Sequence, residues 1–167
     1  MSLGITIKTK PIIKPISISF NRLSRDDIDS IVLIEQQNSH NPWSKNQLIE
    51  SILNPVNLCY SISIKNQIIG FLMAMPALDT ADILNISINK ACQGKGYGNK
   101  LLHYLIKELK DRMISQIMLE VRVSNQTAIA FYLRHGFEEI SLRKNYYMNN
   151  SKHPNQKEDG IIMRLKF

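Results

Sequence analysis

The hydrophobic pattern changes period several times along the chain, and each change marks an element. Ile16-Ser17-Ile18-Ser19-Phe20 alternates apolar and polar, as a half-buried strand does. Ser24-Arg25-Asp26-Asp27 then opens a helix with a capping-box-like start, carried on by Ile28, Ile31, Val32 and Ile34 until Ser39-His40-Asn41-Pro42 breaks it. A second helix begins after Trp43: Ser44 caps it, Gln47 closes the box, Trp43 staples to Leu48, and Asn54-Pro55 ends it. Strands are expected over residues 58–65 and 68–75, with Asn66-Gln67 as a hairpin turn.

The second half repeats a strand–helix order. Residues 82–88, with β-branched Ile83, Ile86 and Ile88, read as a strand. After a glycine loop, Leu101, Leu102, Leu105, Ile106 and Leu109 fall on one face of a helix that fades near Arg112. Residues 116–123 form another strand, with Ile117, Leu119, Val121 and Val123 on one side and Met118, Glu120 and Arg122 on the other. Ser124-Asn125 caps a short helix through Arg134, and Gly136 stops it. Residues 137–142 and 161–167 are the closing strands, separated by a polar loop with Asn149-Asn150-Ser151, Pro154 and Gly160. Residues 1–15 carry no clear period and read as a loose lead-in; residues 16–167 read as a single α/β domain.

Composition narrows the class. A chain of 167 residues, 44% hydrophobic and 21% charged, is ordinary for a soluble globular protein. The longest apolar run, residues 68–78, is too short to span a bilayer and contains Gly70 and Pro76. The first fifteen residues carry Lys8, Lys10 and Lys14 where a secretory signal would be apolar, so a cytoplasmic protein with reduced Cys59 and Cys92 is expected. No metal cluster is expected from the cysteines, and no membrane partner. The net charge of +7 suits polyanions such as the phosphates of a nucleotide, or a ribosome nearby, and equally a merely lysine-solvated surface. No Lys/Arg run exceeds two, so a dedicated nucleic-acid patch is not expected.

The chemistry centres on Gln93-Gly94-Lys95-Gly96-Tyr97-Gly98-Asn99, placed where a strand turns into a helix. Glycines let backbone N–H groups approach a ligand, and the helix start adds partial positive charge, a combination that holds phosphate oxygens. Lys95 and Lys100 add charge nearby. The Rossmann pattern fails because Asn99 stands where its third glycine belongs, and no Walker loop is present. What remains, Gln93-x-x-Gly96-x-Gly98, resembles the acyl-CoA pyrophosphate loop Q/R-x-x-G-x-G/A of the GNAT superfamily of N-acetyltransferases. Further on, Leu119-Glu120-Val121-Arg122-x-Ser124-Asn125-x-x-Ala128-Ile129-x-x-Tyr132-x-x-x-Gly136-Phe137 resembles the second half of that core. More narrowly, the chain resembles the bacterial ribosomal-protein-alanine N-acetyltransferases. Pro42-Trp43-Ser44, Asn85-Ile86, the two stretches above, Arg143-x-Asn145-Tyr146-Tyr147 and Glu158-Asp159-x-Ile161-x-Met163 match in order, from about residue 18 to the end.

The resemblance implies a fold and a set of roles. The fold is a mixed, mostly antiparallel sheet of about seven strands with four helices, in which two central parallel strands splay to leave a notch for the pantetheine arm. Acetyl-CoA is the cosubstrate, with no metal. The backbone of Ile86, Ser87 and Ile88 bonds the arm; Gln93, Gly94, Lys95, Gly96, Tyr97, Gly98 and Asn99 hold the pyrophosphate; Asn125 lies near the thioester. Acetyl passes directly to an amine, so neither cysteine is a nucleophile. Glu120 is the general base and Tyr132 the general acid for the departing thiolate. Trp43, Arg143, Asn145, Tyr146 and Tyr147 line the acceptor side, with the N-terminal peptide of a small-subunit ribosomal protein as acceptor. Two positions depart from the narrower family: Gly94 and Lys144 stand where arginines are common.

Bland readings stand beside these. Glu120 also fits a solvated strand residue paired with Arg122, Tyr132 a helix aromatic packed on the sheet, His135 a polar residue at a helix C-terminus, and Glu158-Asp159 a charged turn. Acceptor chemistry is weighed by pKa: an α-amine near ~8 is about a tenth free base at pH 7, a lysine amine near ~10.4 under about a thousandth. A carboxylate of ordinary pKa ~4.3 is a weak base for either, so Glu120 is expected to act through water, on the more acidic ammonium of the tetrahedral adduct, or with a pKa raised by burial. Acetylation of a lysine or small amine, and a non-catalytic CoA-binding module, remain the alternatives.

Overall fold

The computed structural model describes residues 17–39, 41–148 and 157–167; the lead-in of residues 1–15 and the polar loop of residues 149–156 lie outside them. Seven strands form one sheet: β1 (Ile18–Arg22), β2 (Leu58–Ile64), β3 (Gln67–Ala77), β4 (Thr80–Ile88), β5 (Gln116–Arg122), β6 (Glu138–Met148) and β7 (Lys157–Lys166). Their order is β1-β2-β3-β4-β5-β7-β6, and among the described residues only β4 and β5 run parallel. Four α-helices accompany them: α1 (Ile28–Asn38), α2 (Lys45–Leu53), α3 (Tyr97–Lys110) and α4 (Gln126–Arg134). The mixed sheet and four helices are those expected.

Local chemistry explains most boundaries. Asp27 Oδ2 accepts from the Ser24 N–H, and a 3₁₀ turn over Arg25–Asp27 leads into α1. Ser44 and Gln47 cap α2 reciprocally: the Gln47 N–H donates to Ser44 Oγ at 3.3 Å and the Ser44 N–H to Gln47 Oε1 at 2.9 Å. The β2–β3 turn is made by Lys65 and Asn66, both at positive φ, with Gln67 already paired to Ile64. The expected turn at Asn66-Gln67 is therefore shifted by one, because a two-residue primed turn needs two left-handed residues and its neighbours remain in the ladder. Strand β6 also runs further than expected. It reaches Met148, so the 143–147 segment, taken for loop, is strand interrupted by a bulge.

The sheet separates two apolar clusters. Alternation in β5 sends Ile117, Leu119 and Val121 to the side of α3, where Leu101, Leu102, Leu105 and Leu109 are fully buried. Ile28, Ile31 and Ile34 of α1 and Leu48 of α2 cover the other side with Cys59, Phe71 and Met73. Glu120, between Leu119 and Val121, therefore faces the α1/α2 side.

The parallel pair is short. β4 and β5 pair only from Thr80–Gln116 to Ile83–Leu119. Beyond that point β4 stays with β3, and β5 stays with β7 as far as Arg122. The cause of the parting lies in β4. Met73 of β3 pairs with Asn85 and Ala74 with Ile83, so Leu84 is an extra residue. Such a bulge bends the strand that carries it. The sheet opens at Leu84.

Candidate active site

The opening has two edges. On β4, the Asn89 N–H bonds Ile69 O of β3. Period two then turns the backbone groups of Ser87 toward β3 and those of Ile86 and Ile88 toward the open edge. Ser87, expected to bond the pantetheine arm, instead pairs with Phe71 and points its hydroxyl at Glu35. On β5, Glu120 is the first residue past the last parallel pair.

The glycine loop closes one end. Gly94 (φ 72°) and Gly96 (φ 80°) are left-handed, and Gly96 is the N-cap of α3. A Cβ on either would meet no atom within 4 Å, so conformation, not crowding, calls for glycine there. The first intrahelical bond is Lys100 N–H to Gly96 O, which leaves the N–H groups of the first turn available for an anion. The side chains of the loop have other work. Gln93 Nε2 donates to Asn38 Oδ1 at 2.6 Å and to Ile88 O at 2.9 Å. Lys95 Nζ donates to Ala91 O at 2.8 Å. Asn99 Oδ1 lies 2.7 Å from His135 Nε2, whose Nδ1 is 2.7 Å from Phe131 O, so His135 ties the end of α4 to the start of α3. Gly98 packs against Phe131, and Tyr97 lies against the α3-side core. Asn125 caps α4, its Oδ1 accepting from the Ala128 N–H at 3.2 Å.

Tyr132 projects from α4 into the α3-side core, against Phe131 and Phe137. Burial pushes its phenol up from the ordinary value, which keeps it a proton donor. Tyr132 is buried, and its hydroxyl makes no hydrogen bond to the described residues.

Register gathers the other end. Glu120 and Arg122 lie opposite Ile162 and Gly160 of β7; Arg143 and Tyr147 of β6 lie opposite Gly160 and Glu158. Directly opposed residues share a face, so all four converge on the α1/α2 side. The Arg143–Tyr147 bulge sets three residues of β6 against Asp159, with Asn145 at φ 53° and its N–H on Asp159 Oδ1 at 2.7 Å. Arg143 Nη1 lies 2.7 Å from Glu120 Oε2 and its guanidinium stacks 4.0 Å from the Tyr146 ring centroid. Arg122 stacks on Tyr147 at 4.1 Å and pairs with Glu158 at 3.2 Å, so in place of the Glu120–Arg122 pair of the bland alternative there are two crossed pairs. Gly160 matters for space: a Cβ there would stand 3.1 Å from Tyr147 and 3.2 Å from Glu120 Oε1. Burial and the adjacent Glu120 carboxylate push the Tyr147 phenol up. Burial alone would raise the Glu158 carboxyl, but its Ser124 donors and Arg122 outweigh it and hold it below the usual carboxylate range.

Trp43 joins from the α1/α2 side through a residue the sequence reading did not single out. Glu35 is buried; its Oε1 accepts from the Trp43 N–H at 3.1 Å, and its Oε2 from Asn85 Nδ2 at 3.0 Å and Ser87 Oγ at 3.3 Å. It fastens the loop before α2 to the free half of β4. A polar residue among the apolar positions of α1 was the signal available in the sequence. Cys59 is buried in the α1/α2 core, its thiol pushed up by burial.

Among the described residues, then, the sheet parts beyond its short parallel pair, with a left-handed glycine loop at the start of α3 and the Glu120 carboxylate on β5. The chain belongs to the Acetyltransferase (GNAT) family, whose model matches residues 25–137. It is similar to the [ribosomal protein bS18]-alanine N-acetyltransferase of Haemophilus ducreyi, 37% identical over 140 residues that cover 83% of this chain and 93% of that one. The enzyme of that name from Escherichia coli K12 is 33% identical over 147 residues, 88% and 96% of the two chains. The crystal structure of the Escherichia coli ribosomal-protein alanine N-acetyltransferase superposes with a TM-score of 0.81 at 32% identity, covering 90% of this chain and 94% of that one.

Proposed function

We propose that the protein is an acetyl-CoA-dependent N-α-acetyltransferase whose acceptor is the N-terminal alanine of the small-subunit ribosomal protein bS18, in the cytoplasm. What carries the reading is the position of Glu120, the first residue of β5 past the last parallel pair, in a family member whose curated relatives bear that name. Acetyl-CoA fits the residues present: a β4 edge that is unpaired with β5 beyond Ile83, where Ile86 faces the opening and the Ile88 carbonyl is already taken by Gln93 and Asn38, and open space around Gly94 and Gly96 at the start of α3. The loop N–H groups from Gly94 to Asn99 would hold the pyrophosphate; the Gln93 side chain braces the loop from beneath.

The amine nitrogen attacks the thioester carbon while Glu120, directly or through one water, takes its proton. Collapse of the adduct breaks the carbon–sulfur bond, and Tyr132 protonates the leaving sulfur. Trp43, Asn145, Tyr146 and Tyr147 flank the acceptor, with Arg143 on Glu120 itself. An α-amine suits this site because about a tenth of it is free base at neutral pH, so little is asked of the base.

The test is Glu120→Gln: acetyl-CoA affinity is retained and turnover falls by about 10²–10⁴. Undiminished turnover would remove the assigned base. Peptides with a free and a blocked terminal alanine, offered side by side, decide the acceptor; equal labelling would mean lysine. Mass spectrometry of ribosomal proteins from cells lacking the gene should show one terminal acetyl mark lost.

A further inference from the structure

We propose that Arg143 is a stand-in for the acceptor: its guanidinium occupies the cation position on Glu120 until the ammonium of an arriving chain terminus displaces it. The inference rests on the reading of Glu120 as the residue that receives the acceptor amine.

Two arginine–tyrosine–glutamate sets lie side by side, and they differ in how firmly they are held. In the inner set, Arg122 pairs with Glu158, whose side chain is 13% exposed and whose second oxygen accepts the Ser124 N–H at 2.7 Å. The Glu158 end of that pair is held by a backbone donor, and the Arg122 end is stacked on Tyr147. In the outer set, Arg143 reaches Glu120 at 2.7 Å, but the arginine side chain is 49% exposed and its other contact is Tyr146, itself 48% exposed. Glu120 is 19% exposed. Its carboxylate is thus flanked by Tyr147 within and capped by a removable cation without.

An exposed ion pair is exchanged at little cost, since the released arginine returns to water. An α-ammonium brings the same single charge to the same oxygens, so the charge of the site is unchanged by the exchange. While Arg143 stands on Glu120 Oε2, that oxygen is not free to take a proton from the amine. The displaced side chain keeps its stacking partner, because Tyr146 sits on the same bulge. The ligand class this admits is a cationic chain terminus; a neutral or acetylated terminus has nothing with which to replace the guanidinium. Because Arg143 holds the binding-competent state to a fraction of the population, apparent acceptor affinity is weakened by that fraction.

The experiment is calorimetric titration of the full chain, saturated with coenzyme A, with a heptapeptide beginning in a free alanine and with its N-acetylated counterpart. Binding is read without turnover, so an inactive enzyme does not obscure it. Arg143→Ala is expected to tighten the free peptide by about 3- to 10-fold, the range set by a competent fraction of roughly a tenth to a third. The acetylated peptide is expected to be unaffected. In a Glu120→Gln background, Arg143→Ala should lose its effect, because the shared partner is gone. Weaker binding of the free peptide by Arg143→Ala would overturn the proposal and make Arg143 a direct acceptor contact. An unchanged affinity, or a gain that persists in the Glu120→Gln background, would overturn it too. Failure of the base assignment looks different: Glu120→Gln then retains turnover while Arg143→Ala still tightens the peptide.

Discussion

Gln93 and Asn38 meet side chain to side chain at 2.6 Å, and both amides donate to the carbonyl of Ile88, from 2.9 and 3.0 Å. Three elements are fastened there: the loop that precedes α3, the last turn of α1 and the end of β4. The glutamine that marks the loop motif therefore holds the loop in shape, while the phosphates are left to backbone donors.

Gln93→Glu tests this. The substitution keeps shape but removes both donors and sets a carboxylate against two oxygen acceptors. Urea unfolding is expected to show a loss of about 1–2 kcal/mol, at the lower end for lost hydrogen bonds because the site is partly exposed. Acetyl-CoA affinity should fall with it, through the loop. Unchanged stability with a large loss of affinity would instead place the side chain on the phosphates.

Two of the loop glycines, Gly96 and Gly98, should separate cleanly. Gly96→Ala forces a Cβ into the left-handed region and is expected to cost about 1–2 kcal/mol, although the added methyl touches nothing. Gly98 lies within α3, and its added Cβ would sit at ordinary contact, 3.5 Å, from Phe131. Gly98→Ala should therefore leave the fold intact or stabilise it by up to about 1 kcal/mol, the helix-propensity difference. Thermal melts of the two variants without ligand check both signs.

Glu35→Gln probes the fastening of the acceptor side. The carboxylate accepts three donors, from Trp43, Asn85 and Ser87. A glutamine has one acceptor oxygen, so its amide must face at least one donor, at about 1–3 kcal/mol for a buried unsatisfied group. The expected signature is a raised KM for the peptide as the loop before α2 loosens, with acetyl-CoA affinity retained. An equal loss of both would make Glu35 a general fold residue.

What was legible in the sequence follows from the range of the interactions concerned. The capping box at Ser44 and Gln47, the alternation in β5 and the glycine loop are set by residues a few positions apart, and they formed as read. The Leu84 bulge was not legible, because an extra residue exists only relative to the register of β3. The same holds for Arg143 on Glu120. Along the chain Arg122 is the nearer cation, and only the β5–β7–β6 register brings residues 23 positions apart into contact. Glu35 escaped for a related reason: its partners are 8, 50 and 52 positions away.

Tyr132 gives a prediction about pH as well as about rate. Its phenol is pushed up by burial, so the folded state holds that proton more tightly than the unfolded chain, where the value is near ~10. The sign follows from proton counting. Below pH ~10 both states are protonated and the contribution is fully present; above it the unfolded chain releases the proton first, and stability is lost as pH rises. Tyr132→Phe removes that loss and leaves no hydrogen bond broken, since the hydroxyl has no partner among the described residues. The variant should match the parent in urea at pH 8 and exceed it between pH 10 and 11, the difference growing with pH. Over the same range its kcat should lie below the parent by about 10²-fold, if the leaving sulfur takes its proton from this phenol. A variant that lost stability at pH 8 would show that the hydroxyl is a packing contact, and a change confined to KM would show that it positions the cosubstrate and donates nothing.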